Sequence, residues 1–115
     1  MRVKADCLFC RIVAGSIPAT LIGETEDCVA FRDIDPQAPV HVLVIPRVHV
    51  ATLDEVEDPM LLGRMMLLAT QLAREENIAV SGYRTVINTR ADAGQSVPHL
   101  HVHVMGGRKL TWPPG

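Results

Sequence analysis

Aromatic rings are scarce in this chain: two Phe, one Tyr and one Trp make up 3% of 115 residues. The interior therefore has to be filled by Val, Leu, Ile and Met, and each ring calls for its own explanation. Cysteine is scarce too. Three thiols, an odd number that includes the pair Cys7-x-x-Cys10, do not read as a disulfide framework, so a reducing, cytoplasmic setting is the expectation. No charge of one sign dominates: the net charge is −2, which leaves no broad basic face and argues against nucleic acid as a partner. Long apolar runs are missing as well. None approaches the length needed to cross a bilayer, and the stretch from Met1 to Cys7 lacks the apolar centre of a secretion signal, so no membrane association is expected. What is present is an ordinary globular balance, 48% hydrophobic and 21% charged. It reads as one domain over residues 1–115, without repeat, linker or low-complexity stretch.

Local patterns predict an α+β fold on an antiparallel sheet of about five strands. Asp6 is placed to cap a short helix over Cys7 to Val13 that Gly15 stops. Leu21 to Glu24 and Cys28 to Arg32 read as strands joined by a polar turn at Glu26-Asp27. His41 to Ile45 is a β-branched, buried strand ended by Pro46. Asp58-Pro59, an acidic cap before proline, starts a long helix from Met60 to Asn77. Its apolar residues Leu61, Leu62, Met65, Met66, Leu68, Ala69, Leu72 and Ala73 cover more than one narrow stripe. Such a helix either packs on its sheet and on a second copy of the chain, or lies deep in the core. A strand at Arg84 to Asn88, a loop from Thr89 to Ser96 and a final strand from Leu100 to Met105 complete the order.

That final segment carries His99-Leu100-His101-Val102-His103. Side chains alternate along a strand, so the three imidazoles would share one face, neighbours about 6.6 Å apart. Neutral imidazole is a nucleophile and imidazolium a donor to phosphate oxygen, and neighbours can tune each ring differently around neutral pH. A lone histidine is more often a satisfied core residue. Three in alternation behind Gly94-Gln95-Ser96 favour a phosphate-handling site, because glycine admits a ligand close to the backbone and Gln95 and Ser96 add polar donors. Cys7-x-x-Cys10 has metal-ligand spacing, and His49 with His99 would complete a Cys₂His₂ set for structural zinc. The same two thiols on an apolar helix also fit plain burial. Cys28 reads as a small buried hydrophobe, and His49 otherwise as a strand-end surface residue.

The run His99-Leu-His101-Val-His103-Val-Met resembles the signature of the histidine triad superfamily. Gly94-Gln95-Ser96, Gly106-Gly107-Arg108, Trp112-Pro113-Pro114-Gly115, Cys7-Leu8-Phe9-Cys10, the segment from Phe31 to Pro39 and His41-Val-Leu-Val-Ile-Pro46 are similar to its Hint branch. The resemblance runs through nearly the whole chain. It implies a HIT-like fold, a two-fold homodimer, and purine nucleoside phosphoramidase activity on AMP-like (or GMP-like) nucleotides. It further implies that His101 is the nucleophile, that His103 donates to the phosphate, that Ser96 sits by the leaving group, and that His99 and His41 complete the imidazole network. The nucleoside would lie among Phe9, Ile12, Ile17, Phe31, Ile34 and Leu43, with Asp33 accepting from the ribose. Asn88, Gly94 and Gln95 match phosphate-side positions. Trp112 would pack near the partner subunit's active site. Read alone, Asp33 is a turn residue and the two phenylalanines are core. No cofactor is required for the chemistry. The rival readings are a Fhit-like diadenosine polyphosphate hydrolase and a non-catalytic, zinc-stabilised nucleotide-binding module.

Overall fold

A computed structural model describes residues 4–115; Met1, Arg2 and Val3, on which the readings of the amino terminus and of a 1–115 domain partly fall, lie outside the described residues. Strands β1 (Leu21–Glu24), β2 (Cys28–Arg32), β3 (Val40–Pro46), β4 (Tyr83–Val86) and β5 (Val102–Gly106) form one antiparallel sheet in the order β1-β2-β3-β5-β4. Helices α1 (Leu8–Val13), α2 (Pro59–Glu75) and the single turn α3 (Arg90–Ala93) accompany it, with a 3₁₀ turn at Leu53–Glu55. This is the expected α+β sheet of five strands. The 3₁₀ turn and α3, both within segments too short and polar to show a periodicity, are additions to the sequence reading.

Alternation along the strands builds two cores. Cys28 and Ala30, Val42 and Val44, and Val102 and Val104 face α2, where Leu61, Met65, Leu68, Ala69, Leu72 and Ala73 meet them. Val29, Phe31, Leu43 and Ile45 face the other way, against Cys7, Phe9 and Cys10 of the α1 region. With both faces covered, the strands read as nearly continuous apolar runs. Helix α2 starts as expected, Asp58 Oδ1 accepting from the Met60 N–H at 2.9 Å. Its inner face is buried in the sheet, while Met60 and Leu67 stay exposed on the outside. It is therefore not sunk in the core. Truncating an inner residue such as Leu68 to Ala should cost about 2–5 kcal/mol, the usual range for a cavity left in a packed core.

Two boundaries differ in ways that matter. The cap of α1 is Cys7 rather than Asp6, its sulfur accepting from the Cys10 N–H at 3.4 Å. The last strand begins at Val102 rather than Leu100. Before it, Leu100 N–H donates to Val50 O at 2.7 Å and His99 N–H to Val97 O at 2.8 Å. These bonds, made away from the neighbouring strands, hold residues 99–101 outside the ladder.

Candidate active site

The cross-strand register places Phe31 opposite Leu43, Leu43 opposite His103, and His103 opposite Val86. Phe31, Leu43 and His103 of this row form the floor of a mostly apolar cavity of about 290 Å³. Helix α1 and the loop after it supply one wall through Leu8, Phe9, Ile12, Ile17, Pro18 and Ala19. Arg32, Asp33, Ile34, Ser96, Val97, His101 and His103 complete the lining. Phe9 and Phe31 meet edge-on, ring centroids 5.4 Å apart. Of the residues named from the sequence, Phe9, Ile12, Ile17, Phe31, Asp33, Ile34, Leu43, Ser96, His101 and His103 are brought together here. Leu8, Pro18, Ala19, Arg32 and Val97 were missed. Only Pro18, in a short loop, had any local signature, and it signals a turn rather than a pocket.

Hydrogen bonds fix which nitrogen of each imidazole carries its proton. His101 Nδ1 lies 2.7 Å from the carbonyl of His99; a carbonyl only accepts, so Nδ1 holds the hydrogen and Nε2 has a free lone pair. His41 Nδ1 accepts from the Gln37 N–H at 3.0 Å. Its Nε2 therefore carries hydrogen, 2.9 Å from His103 Nδ1 and 3.3 Å from Asp33 Oδ2. His103 Nδ1 is then an acceptor, leaving Nε2–H as the donor of that ring. Burial lowers the pKa of His41 and His101. It takes that of His103 down to about 4, with neighbouring His101 and His41 adding to the effect. All three rings are neutral near pH 7. The cavity thus holds a neutral imidazole lone pair beside a neutral N–H donor, at the end of an apolar slot.

The expectation of three imidazoles on one phosphate needs correction. His99 is fully buried and its Nε2–H donates to Pro46 O at 2.9 Å. Its Nδ1 faces Cys7 Sγ at 3.3 Å and Cys10 Sγ at 3.6 Å, and Cys10 Sγ lies 3.4 Å from His49 Nδ1. His99 thus belongs to a cluster behind the cavity, because the chain at 99–101 has not yet entered the sheet. His41 is buried too and does not line the cavity, which it reaches through His103 and Asp33. Gln95 does not line it: its Nε2 donates to Ala51 O and Val97 O and its Oε1 accepts from the Arg90 N–H, bracing the loop. Gly94 ends α3 with φ +80. Neither Gly94 nor Asn88 borders the cavity. Trp112 is exposed and outside it. His49 is half-buried rather than a surface residue.

Two side-chain clusters have metal-ligand composition. Four ligands of a tetrahedral zinc, with bonds of about 2.0–2.3 Å, stand about 3.3–3.8 Å from one another. The sulfur–nitrogen distances of 3.3, 3.4 and 3.6 Å among Cys7, Cys10, His49 and His99 fall in that range. His99 also presents the required lone pair, its other nitrogen held by a carbonyl. These residues fit the ion. In the second cluster, Asp33, His41 and His103, the 2.9 Å nitrogen–nitrogen separation is that of a shared proton and shorter than two nitrogens on one zinc would show, about 3.3 Å.

The HIT domain profile matches residues 14–110. The chain belongs to the HIT domain family. An uncharacterized HIT-like protein of Synechococcus elongatus is 49% identical to this HIT protein over 98% of this chain and 100% of its own length. Among solved structures, a HIT family hydrolase from Legionella pneumophila superposes with a TM-score of 0.93 at 48% identity, covering 96% of this chain and 100% of that one. A histidine triad nucleotide-binding protein from Candida albicans does so with a TM-score of 0.82 at 30% identity, covering 94% and 83%. The fold of this HIT protein is therefore the HIT-like α+β fold, its five antiparallel strands included.

Proposed function

We propose that this HIT protein hydrolyses the P–N bond of purine nucleoside phosphoramidates, AMP derivatives foremost, through a nucleotidyl-histidine on His101. The single observation that carries the reading is the 2.7 Å bond from His101 Nδ1–H to His99 O, which leaves Nε2 as a lone pair within the cavity. Nε2 attacks phosphorus, the P–N bond breaks, and the leaving amine takes a proton from solvent, which the water consumed in the second step gives back. Water then attacks the same phosphorus, releasing the nucleotide and restoring neutral imidazole; two modest displacements replace one hard one. His103 Nε2–H donates to the phosphoryl oxygens as charge develops there, and Ser96 stands at the leaving-group side. The base lies between Phe9, Phe31 and Leu43, a flat apolar slot, and Asp33 accepts from the ribose. The hydrolase from Legionella supports a hydrolytic reaction, and the nucleotide-binding protein from Candida supports a nucleotide as the ligand.

Cys7, Cys10, His49 and His99 hold a structural zinc in this proposal. The ion would tie α1 to the segment before β5 and so keep the slot and His101 together; the chemistry itself stays with the imidazoles. The working form is a two-fold dimer formed on the outer side of α2, where Met60 and Leu67 are exposed. Trp112, exposed in one copy, packs near the partner subunit's cavity and selects the amine. Cys7, Cys10 and Cys28, none of them in a disulfide, suit the cytoplasm. Among the described residues no helix is long and apolar enough to cross a membrane.

Trapping is the direct test. Incubating the protein with a phosphorus-labelled AMP phosphoramidate, quenching and mapping should place the label on His101; label on another residue, or none during turnover, refutes the covalent step.

A further inference from the structure

We propose that Arg108, which lies outside the cavity, is a positioning residue that sets where the protons of His41 and His103 sit. Its guanidinium donates twice to the carbonyl of Gln37, from Nε at 3.2 Å and Nη2 at 2.9 Å. The N–H of that same Gln37 donates to His41 Nδ1 at 3.0 Å, and His41 Nε2 in turn meets His103 Nδ1 at 2.9 Å. The path therefore runs from an exposed cation through one residue of backbone to the two imidazoles.

The loop needs an outside clamp. Pro36 and Pro39 bracket it and have no N–H of their own to tie it down, and residues 34 to 37 are exposed. The turn that delivers Arg108 is built for close approach. Gly107 has φ +91, and a Cβ there would lie 3.0 Å from Pro39 Cβ; a Cβ on Gly106 would come within 2.9 Å of Ile78. Gly107 lets the end of β5 close on the loop at Pro39 and bring the guanidinium to Gln37, while Gly106 seats that same end against Ile78.

The consequence is chemical. With the Gln37 N–H on Nδ1 and the Asp33 carboxylate 3.3 Å from Nε2, contacts that both come from this loop, His41 keeps its proton on Nε2, so His103 Nδ1 accepts and His103 Nε2 is a donor. Should the loop drift, both the Gln37 N–H and the Asp33 carboxylate loosen their hold, and His41 can move its proton to Nδ1. His41 Nε2 then offers a lone pair, His103 takes its own proton on Nδ1, and its Nε2 turns from donor to acceptor. A phosphoryl oxygen would meet a lone pair instead of an N–H. One clamp outside the pocket thus decides between attraction and repulsion inside it.

Long-range ¹H–¹⁵N spectra of the imidazoles, recorded on the full chain without substrate, test this directly. In the unaltered protein Nδ1 of both His41 and His103 should be unprotonated. In Arg108→Ala both rings should become mixtures, and kcat on an AMP phosphoramidate should fall about tenfold with KM within about twofold, as for loss of a partner that orients a functional histidine. Arg108→Lys, which keeps one donor, should fall between. Unchanged rings in Arg108→Ala overturn the proposal whatever activity does, and so does a loss carried by KM alone. If Arg108→Ala does not fold, the same spectra of Arg108→Lys are decisive, unchanged rings again overturning it. The rate arm rests on the phosphoramidase reading, the spectra do not: shifted rings in a protein that cleaves no phosphoramidate would sink that reading and leave this one standing.

Discussion

Phe9 meets His101 edge-on, ring centroids 5.1 Å apart and planes at 89°. The same phenylalanine stands edge-on to Phe31 at 5.4 Å and to His99 at 5.9 Å. One ring on α1 is therefore shared by the His101 imidazole, the apolar cavity and the thiol–imidazole cluster. Anything that shifts α1 shifts all three, and the cluster at Cys7 and Cys10 is what ties α1 to the remainder of the site.

His101→Ala should abolish turnover, by at least about a thousandfold as for removal of a covalent nucleophile. AMP should still bind, because the slot among Phe9, Phe31 and Leu43 is untouched. Calorimetric titration with AMP and single-turnover kinetics check both halves; retained hydrolysis would take the nucleophile's role away from His101.

Asp33 has two neighbours to satisfy. Its Oδ1 accepts from the Asp35 N–H at 2.9 Å and its Oδ2 lies 3.3 Å from His41 Nε2. Asp33→Asn should weaken ribonucleotides by about 1.5–3 kcal/mol, the worth of hydrogen bonds to a charged group, and 2′,3′-dideoxy analogues far less. Equal loss for the two classes removes Asp33 from the ribose site and leaves it its contacts with Asp35 and His41.

Metal content can be measured without reference to activity. Purified protein should carry one zinc per chain, and Cys10→Ser should lose it and melt lower by about 4 °C or more for each kcal/mol of site energy forfeited. Wild-type protein that carries no metal, and whose melting zinc and chelator leave alone, would show two plainly buried thiols instead.

Acid should destabilise the fold through His103. Its folded pKa is about 4, below the ordinary 6.5, so between these values the unfolded chain binds more protons and stability rises with pH. The contribution is fully present above about pH 6.5 and is lost as pH falls toward 4; His41, lowered in the same direction, adds to it. Urea midpoints across pH 4–7 should fall on acidification, less steeply in His103→Asn. An identical slope in that variant contradicts the assignment.

Much of this was legible locally. The short apolar runs read as strands at 21–24 and 28–32, with a polar turn between them, match β1 and β2 as observed, and Asp58-Pro59 marks the start of α2, because caps, prolines and turn residues act over a few positions. Ten of the pocket residues could be named because family resemblance carries tertiary information that a single sequence's periodicity does not. Gln95 and Gly94 misled for a related reason: a glycine loop before histidines looks the same whether it holds a ligand or, as here, braces itself through Ala51 O and Val97 O.

The chain's own order of residues determined that an apolar helix and five short strands would form and that imidazoles would cluster at one end of them. Which imidazole does what was decided only in three dimensions. Hydrogen bonds from Leu100 to Val50 and from His99 to Val97 hold the triad's first half out of the ladder, turning His99 toward two thiols about ninety residues away in sequence. Gln37 then selects the proton position on His41. Tautomers depend on partners brought close by folding, and no spacing along a strand encodes them.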